Sequence, residues 1–378
     1  MILKNGAVMT DNFELKHLDM RIEDEYIAEL GENLTGDELL DLQGKIILPG
    51  FIDTHIHGAM GVRINDRNPR VDKMLSFEAT QGVTSIAVTT ASSTYDELFL
   101  QFELAKSAAS QKQGTKIIAI HAEGPFINRK YKGAMTEKNI MTPDIDQFDE
   151  LFERSGGLLK IMTIAPEIDG GQALIEHAIK RGVTVSMGHT NATYEQAMKA
   201  IEAGASRMTH TFNAARALHH REPGALGAAL TCDSVTCELI CDYVHLHPAA
   251  VDLVYRAKGA DRVTMVSDSG TAAGLSLSEF EIDGIKRYVK DGVVRLADGT
   301  ISGSAKTLLD GVQNLIGHGI PLCDVSKMAS LIPARAIGAE KSVGSIAVGK
   351  LADLAVLDAK SYALERTFID GACIFEKN

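Results

Sequence analysis

The sequence predicts a (β/α)8 TIM-like barrel carrying a small β-sandwich domain built from both chain ends. Three observations predict it. Apolar, β-branched runs recur eight times through the middle of the chain. Helical-period segments closed by Gly separate most of them, and both chain ends show short alternating runs broken by Gly, Asn and Asp. The length fits, since 378 residues exceed one minimal domain and suit a barrel with a satellite.

Residues 1–50 hold the runs Ile2–Met9, Met20–Leu30 and Leu39–Leu48, whose period-two patterning reads as strands of the N-terminal half of the β domain. The barrel is expected over 51–335. Its strand runs are Phe51–His57, Thr84–Thr90, Lys116–Glu123, Lys160–Glu167, Thr184–Thr190, Arg207–Asn213, Thr236–Asp242 and Arg262–Asp268. Tyr95–Ala109, Gly171–Arg181 and Tyr194–Ala203 have helical periodicity. An open α/β sheet is the competing reading, but it usually places a Gly-rich phosphate loop after the first strand. His55-Ile56-His57 stands there instead. Residues 336–378 return to short β-prone runs, Ser345–Val348, Ala355–Leu357 and Thr367–Phe375, the C-terminal half of the β domain.

Composition narrows the function. A formal charge of −12 argues against nucleic acid, which normally needs a basic stripe to displace counterions. A phosphate group would have to be captured by a few local Arg, His or backbone N–H groups. The opening stretch lacks a basic region followed by an apolar one, so no signal peptide is expected, and no run approaches a membrane span. Five cysteines, with Cys232, Cys237 and Cys241 in one segment but no CxxC pair, read as small hydrophobes on a buried strand rather than a zinc site. A reduced, cytoplasmic protein is the expectation.

The chemistry lies at the strand ends. His55 and His57 close the first run, Glu123 the third, His189 lies near the end of the fifth, His210 in the sixth, and Asp268 ends the eighth. In a barrel these ends converge on one mouth, where barrel active sites are found. Side chains at i and i+2 of a strand point the same way, so His55 and His57 can aim at one cation. Each alone has an ordinary explanation: a histidine satisfied in the core, a buried carboxylate paired with a cation, an Asp capping a helix. Together they form a set suited to zinc or iron, one or two ions, with a position left for water. Asp268 is then the expected general acid/base, taking a proton from that water and delivering it to a departing amine.

The motifs also carry a resemblance. Leu48-Pro-Gly-Phe-Ile-Asp-Thr-His-Ile-His57 and Gly349-Lys-Leu-Ala-Asp-Leu354 resemble the opening and closing signatures of the amidohydrolase superfamily. His121-Ala-Glu-Gly-Pro-Phe126, Gly188-His-Thr-Asn-Ala192, Thr209-His-Thr-Phe-Asn-Ala214 and Arg221-Glu-Pro-Gly224 resemble the N-acetylglucosamine-6-phosphate deacetylase family, across essentially the whole chain and in the same order. The resemblance implies Glu123, His189 and His210 as principal metal ligands, with His55 and His57 as a pair for a second metal. It implies Asp268 as the catalytic acid/base, and Asn213 and Ala214 as holding sugar and phosphate, partly through backbone N–H groups. It further implies a substrate contact at His245, expected to help polarise the scissile carbonyl, and a phosphate-binding Arg221 that reaches in from the neighbouring subunit of a homodimer. Without the family, Arg221 beside Glu222 reads as a surface ion pair, and Ser302-Gly303-Ser304 as a helix cap or a substrate contact.

Two departures from the family pattern stand out. Ser267-Asp-Ser-Gly-Thr-Ala-Ala-Gly274 keeps the Asp and the final Gly but changes the residues between, and Met135 takes a place where some members carry His. The expected substrate is a phosphorylated amino sugar, N-acetylglucosamine 6-phosphate, with its galactosamine epimer as the alternative. An amidohydrolase for another N-acyl or cyclic amide is a further reading. A catalytically dead scaffold is the third, and the complete ligand set argues against it.

Overall fold

The computed structural model describes residues 1–64, 66, 70–111, 114–282 and 284–377. The barrel strands are β1 (Phe51–Ile56), β2 (Val83–Thr90), β3 (Lys116–Glu123), β4 (Leu159–Ile164), β5 (Thr184–Met187), β6 (Arg207–Met208), β7 (Thr236–Ile240) and β8 (Val263–Val266). Each pairs in parallel with its neighbours in chain order. The ring closes where Ile56 bridges Ser269 and the Asp268 N–H donates to the His55 carbonyl at 2.9 Å. The strands are buried along nearly their whole length, as parallel strands jacketed by helices must be. The barrel is as the sequence predicts.

Side-chain caps in the sequence set where helices begin. Thr193 and Gln196 exchange side-chain and backbone hydrogen bonds at 3.2 and 2.9 Å to open Tyr194–Glu202. Thr307 and Asp310 do the same for Leu308–Gly317. Ser302-Gly303-Ser304 is therefore not the cap of that helix. Cys237 is buried in β7 and Cys241 just beyond it, whereas Cys232 precedes the strand and is half-buried.

Both chain ends meet in one sheet. Lys45–Pro49 runs antiparallel to Leu354–Asp358 and parallel to Ala7–Met9 within a six-stranded sheet. A second, four-stranded sheet is made of Ile2–Lys4, Asp19–Glu23, Tyr26–Gly31 and Leu39–Asp41. One apolar cluster, including Leu3, Met20, Ile27, Ile47, Val356 and Phe368, draws on both. The period-two runs at each end bury one face in this cluster, which is why they read as strands. Lys116 at the start of β3 bridges the barrel to this domain, 2.8 Å from Asp353 and 2.5 Å from Asp370.

At the junction, a Cβ on Gly50 would lie 2.3 Å from the side chain of Thr84, which is fully buried. Gly50→Ala should therefore destabilise the fold by about 1–3 kcal/mol. The check is the thermal unfolding midpoint; an unshifted midpoint would contradict so close an approach.

One element is absent from the strand assignment made from sequence. An antiparallel sheet of Glu279–Ile282, Ile285–Lys290, Val293–Leu296 and Ile301–Ser304 follows β8. The Asp-Gly pairs at 283–284, 291–292 and 298–299 are hairpin-turn signals that mark it.

Candidate metal centre and active site

The six residues expected at the mouth come together. Glu123 Oε1 lies 3.0 Å from His189 Nε2, 3.1 Å from His210 Nε2 and 3.3 Å from His55 Nε2. Its Oε2 lies 3.2 Å from His57 Nε2, and Asp268 Oδ1 is 3.3 Å from the same nitrogen. Two adjacent sets, Glu123–His189–His210 and His55–His57–Asp268, each have their candidate ligand atoms within 4.8 Å of one another.

The residues fit a divalent cation. His189 Nε2 and His210 Nε2 face each other at 3.1 Å, and His55 Nε2 is buried without a hydrogen-bond partner. Ring nitrogens converging this way on one carboxylate are reconciled by a positive ion between them. The far side of His189 is already arranged for it: Nδ1–H donates to the Tyr131 carbonyl at 2.7 Å, leaving the Nε2 lone pair for an ion. Burial by itself would raise the Glu123 carboxyl. The charge of His55 and the hydrogen bonds from His189 and His210 outweigh it and hold the group well below the usual carboxylate range.

The structure revises where these groups sit. His210 and Asp268 are each two residues beyond their strands, and His189 is likewise two beyond β5. All three have positive φ, at 26°, 47° and 46° respectively. The left-handed backbone turns each side chain in over the mouth, a strain typical of functional positions. A strand that simply continued could not do this, so the apolar runs overestimate strand length here.

Asp268 is fixed through its main chain, its carbonyl accepting from Ser304 N–H at 2.9 Å. The unusual Ser267–Gly274 stretch is tied by backbone as well: His57 and Gly58 donate to Ser269 O, Gly61 to Thr271 O and Met60 to Ala273 O. Side-chain changes there leave those bonds in place. Burial tends to raise the Asp268 carboxyl, but the hydrogen bond from His57 and the charges of His55 and His57 bring it below its ordinary value.

The substrate residues are only partly gathered. His245 Nδ1 lies 2.7 Å from Asp242 Oδ2, and its Nε2 is buried without a partner. Asp242 also accepts from Ser304 Oγ at 3.3 Å, which links His245 to the segment holding Asp268. With Nδ1 engaged by Asp242, Nε2 is the ring nitrogen left to meet a substrate. The Asn213 N–H is spent on His210 O at 2.8 Å, whereas its side-chain Nδ2 is buried and unpartnered. Ala214 O accepts from Thr190 N–H at 3.2 Å, so this loop rests on the one carrying His189. Met135 lies close by: its sulfur accepts from Ser92 Oγ at 3.1 Å, and a Cβ on Gly133 in the same loop would sit 3.6 Å from His189 Cε1.

Arg221 is not brought to the cluster. It is exposed and bonds His220 Nε2 at 2.7 Å, with His219 and His220 exposed beside it. Its ion pair with Glu222 does not form; Glu222 Oε1 accepts the backbone N–H groups of Tyr194 and Gly224 instead.

Sequence reasoning missed the polar floor under the mouth. A chain of bonds crosses the barrel interior: Ser186 Oγ to Thr209 Oγ1 at 2.6 Å, Thr209 to Thr163 Oγ1 at 2.8 Å, Thr163 to His121 Nε2 at 2.8 Å, and His121 Nδ1 to Thr54 O at 3.0 Å. Burial, aided by the charge of His55, pushes the His121 ring down to about 3, so it is neutral and both nitrogens are used structurally. Arg207 and Glu238 form a fully buried pair at 2.7 Å in the same layer. The signal available was charged residues inside otherwise apolar runs.

The amidohydrolase family profile matches residues 46–374. The chain is 33% identical over 369 residues to the N-acetylglucosamine-6-phosphate deacetylase of Bacillus subtilis, covering 95% of this chain and 93% of that one. It is 31% identical over 361 residues to the N-acetylgalactosamine-6-phosphate deacetylase of Escherichia coli O157:H7, covering 95% of each. Among solved structures, a mutant N-acetyl-D-glucosamine-6-phosphate deacetylase from Mycobacterium smegmatis in complex with N-acetyl-D-glucosamine-6-phosphate superposes with a TM-score of 0.93 at 29% identity, covering 99% of both chains. Fold, converging ligands and relatives agree, and the chain belongs to the amidohydrolase family.

Proposed function

We propose that the protein hydrolyses the acetamide of N-acetylglucosamine 6-phosphate, giving glucosamine 6-phosphate and acetate in amino-sugar catabolism. The observation that carries this reading is the convergence of His55, His57, Glu123, His189 and His210 around Asp268 in a chain whose relatives deacetylate phosphorylated amino sugars. The galactosamine epimer is the second reading, favoured by the Escherichia coli relative and by Met135 beside the mouth.

The ligand set suits zinc or iron, and its two adjacent groups support two ions. Such an ion would acidify a water from about 15.7 toward about 7 and polarise the acetamide oxygen. Asp268 takes the proton of the attacking water on its carboxylate and returns it to the nitrogen as the C–N bond breaks. The amine would otherwise leave as an unstable anion, which is why this proton matters. His245, aligned by Asp242, meets the substrate through Nε2 and helps to polarise the acetamide oxygen. The buried Asn213 Nδ2, the Ala214 backbone and Arg221 hold the phosphate.

Arg221 serves the neighbouring subunit of a homodimer in this proposal, and its exposure on a loop away from its own cluster supports that assignment. A reducing, cytoplasmic location accords with five free cysteines. No helix among the described residues is long and apolar enough to cross a membrane.

Arg221→Ala tests the phosphate assignment. Hydrogen bonds to charged groups contribute about 1.5–3 kcal/mol, so KM for the phosphorylated sugar should rise roughly 10- to 100-fold. Turnover of an unphosphorylated N-acetyl sugar should not change. An unchanged KM would remove Arg221 from the site and favour an amidohydrolase for an unphosphorylated amide.

A further inference from the structure

Glu238, two residues before the end of β7, is fully buried and surrounded by donors. Its Oε1 accepts from Arg207 Nε at 2.7 Å. Its Oε2 accepts from the main-chain N–H of His210 at 3.0 Å and meets His55 Nδ1 at 3.0 Å. Arg207, also buried, anchors on Thr54 Oγ1 of β1 and so keeps Glu238 paired without solvent. One carboxylate thus touches a side chain of strand β1 and the backbone of the loop after β6, and each carries a candidate metal ligand.

A neutral imidazole has two tautomers, and only one presents a lone pair to the mouth. A carboxylate at Nδ1 selects the form with the proton on Nδ1 and the lone pair on Nε2. His55 Nε2 is the buried atom without a hydrogen-bond partner, 3.3 Å from Glu123 and 3.7 Å from Asp268.

We propose that Glu238 is a positioning residue: it fixes the tautomer of His55 and pins the backbone at His210, thereby registering the two ligand groups on one buried carboxylate. This rests on the metal-centre reading above. Arg207 occupies Oε1 and so turns Oε2 toward His55 and the His210 N–H.

Glu238→Gln is an informative variant because its amide suits none of the geometry. With its oxygen kept by Arg207, the new NH2 group faces His55 Nδ1 and the His210 N–H. The first would be turned toward the wrong tautomer and the second left opposite another donor. The full-length protein is titrated with zinc at buffered free concentrations, and bound zinc is measured by elemental analysis. Zinc affinity should fall about 10- to 100-fold in the variant. A second measurement covers the case in which the variant does not fold. In zinc-loaded wild-type protein carrying 15N-labelled histidine, His55 should show a protonated Nδ1 and zinc on Nε2. Wild-type zinc affinity in Glu238→Gln, or zinc on Nδ1 of His55, overturns the assignment of Glu238 alone. Failure of the wild-type protein to bind zinc overturns both this assignment and the metal-centre reading.

Discussion

Replacing Asp268 by Asn should slow acetate release by about 10²- to 10⁴-fold, the range attached to a positioned general acid–base. The variant keeps nearly the same shape, so the loss falls on what the carboxylate does at the site: moving the proton and completing the His55–His57 group. Asp268 is held in a left-handed backbone conformation, φ 47°, with its N–H on His55 O and its carbonyl on Ser304 N–H, both at 2.9 Å. None of those bonds involves the side chain, so the amide should take the carboxylate's place without moving the segment. An amide cannot accept the proton of water, nor return one to the amine. Metal bound at Glu123, His189 and His210 should remain near the wild-type amount. A variant with normal turnover would remove Asp268 from the mechanism, whatever the metal content.

Replacing Glu123 by Ala should have an equally large effect by another route: bound metal falls to background and activity to the level of the metal-free protein. Among the described residues Glu123 is the one carboxylate within 3.3 Å of all four imidazoles, His55, His57, His189 and His210. Without it His189 and His210 face each other with no carboxylate between them to share a cation. Removing one partner from a buried ionic cluster also costs about 3–5 kcal/mol, so a lower unfolding midpoint should accompany the loss. Chelation of the wild-type enzyme should reproduce the inactivity, and added zinc should restore the wild type but not the variant. A Glu123→Ala protein with full metal content would contradict the geometry of the centre.

Much of this is legible in the sequence, for identifiable reasons. Strands buried on both faces leave continuous apolar runs, and a His or carboxylate at the end of such a run marks the mouth; His55, His57 and Glu123 are read this way directly. His189, His210 and Asp268 are found as residues but misplaced as strand members, because a positive φ on a non-glycine residue has no periodic signature. Glu238 and Arg207 sit within β7 and β6, where one charged residue in an apolar run does not reveal that its partner comes from another strand. His245 is read as a substrate contact, but which of its nitrogens is free follows only once Asp242 is seen 2.7 Å from Nδ1. Arg221 depends on motif alone, because an exposed arginine in a loop carries no periodic or burial signal of its own.

The measurement that tests the central claim most directly is acetate release by the zinc-loaded enzyme from three compounds: N-acetylglucosamine 6-phosphate, N-acetylgalactosamine 6-phosphate and unphosphorylated N-acetylglucosamine. The account predicts efficient hydrolysis of the glucosamine phosphate, or of its epimer if Met135 has shifted the preference, and poor hydrolysis of the free sugar. All three left intact by enzyme with demonstrably bound metal would contradict it.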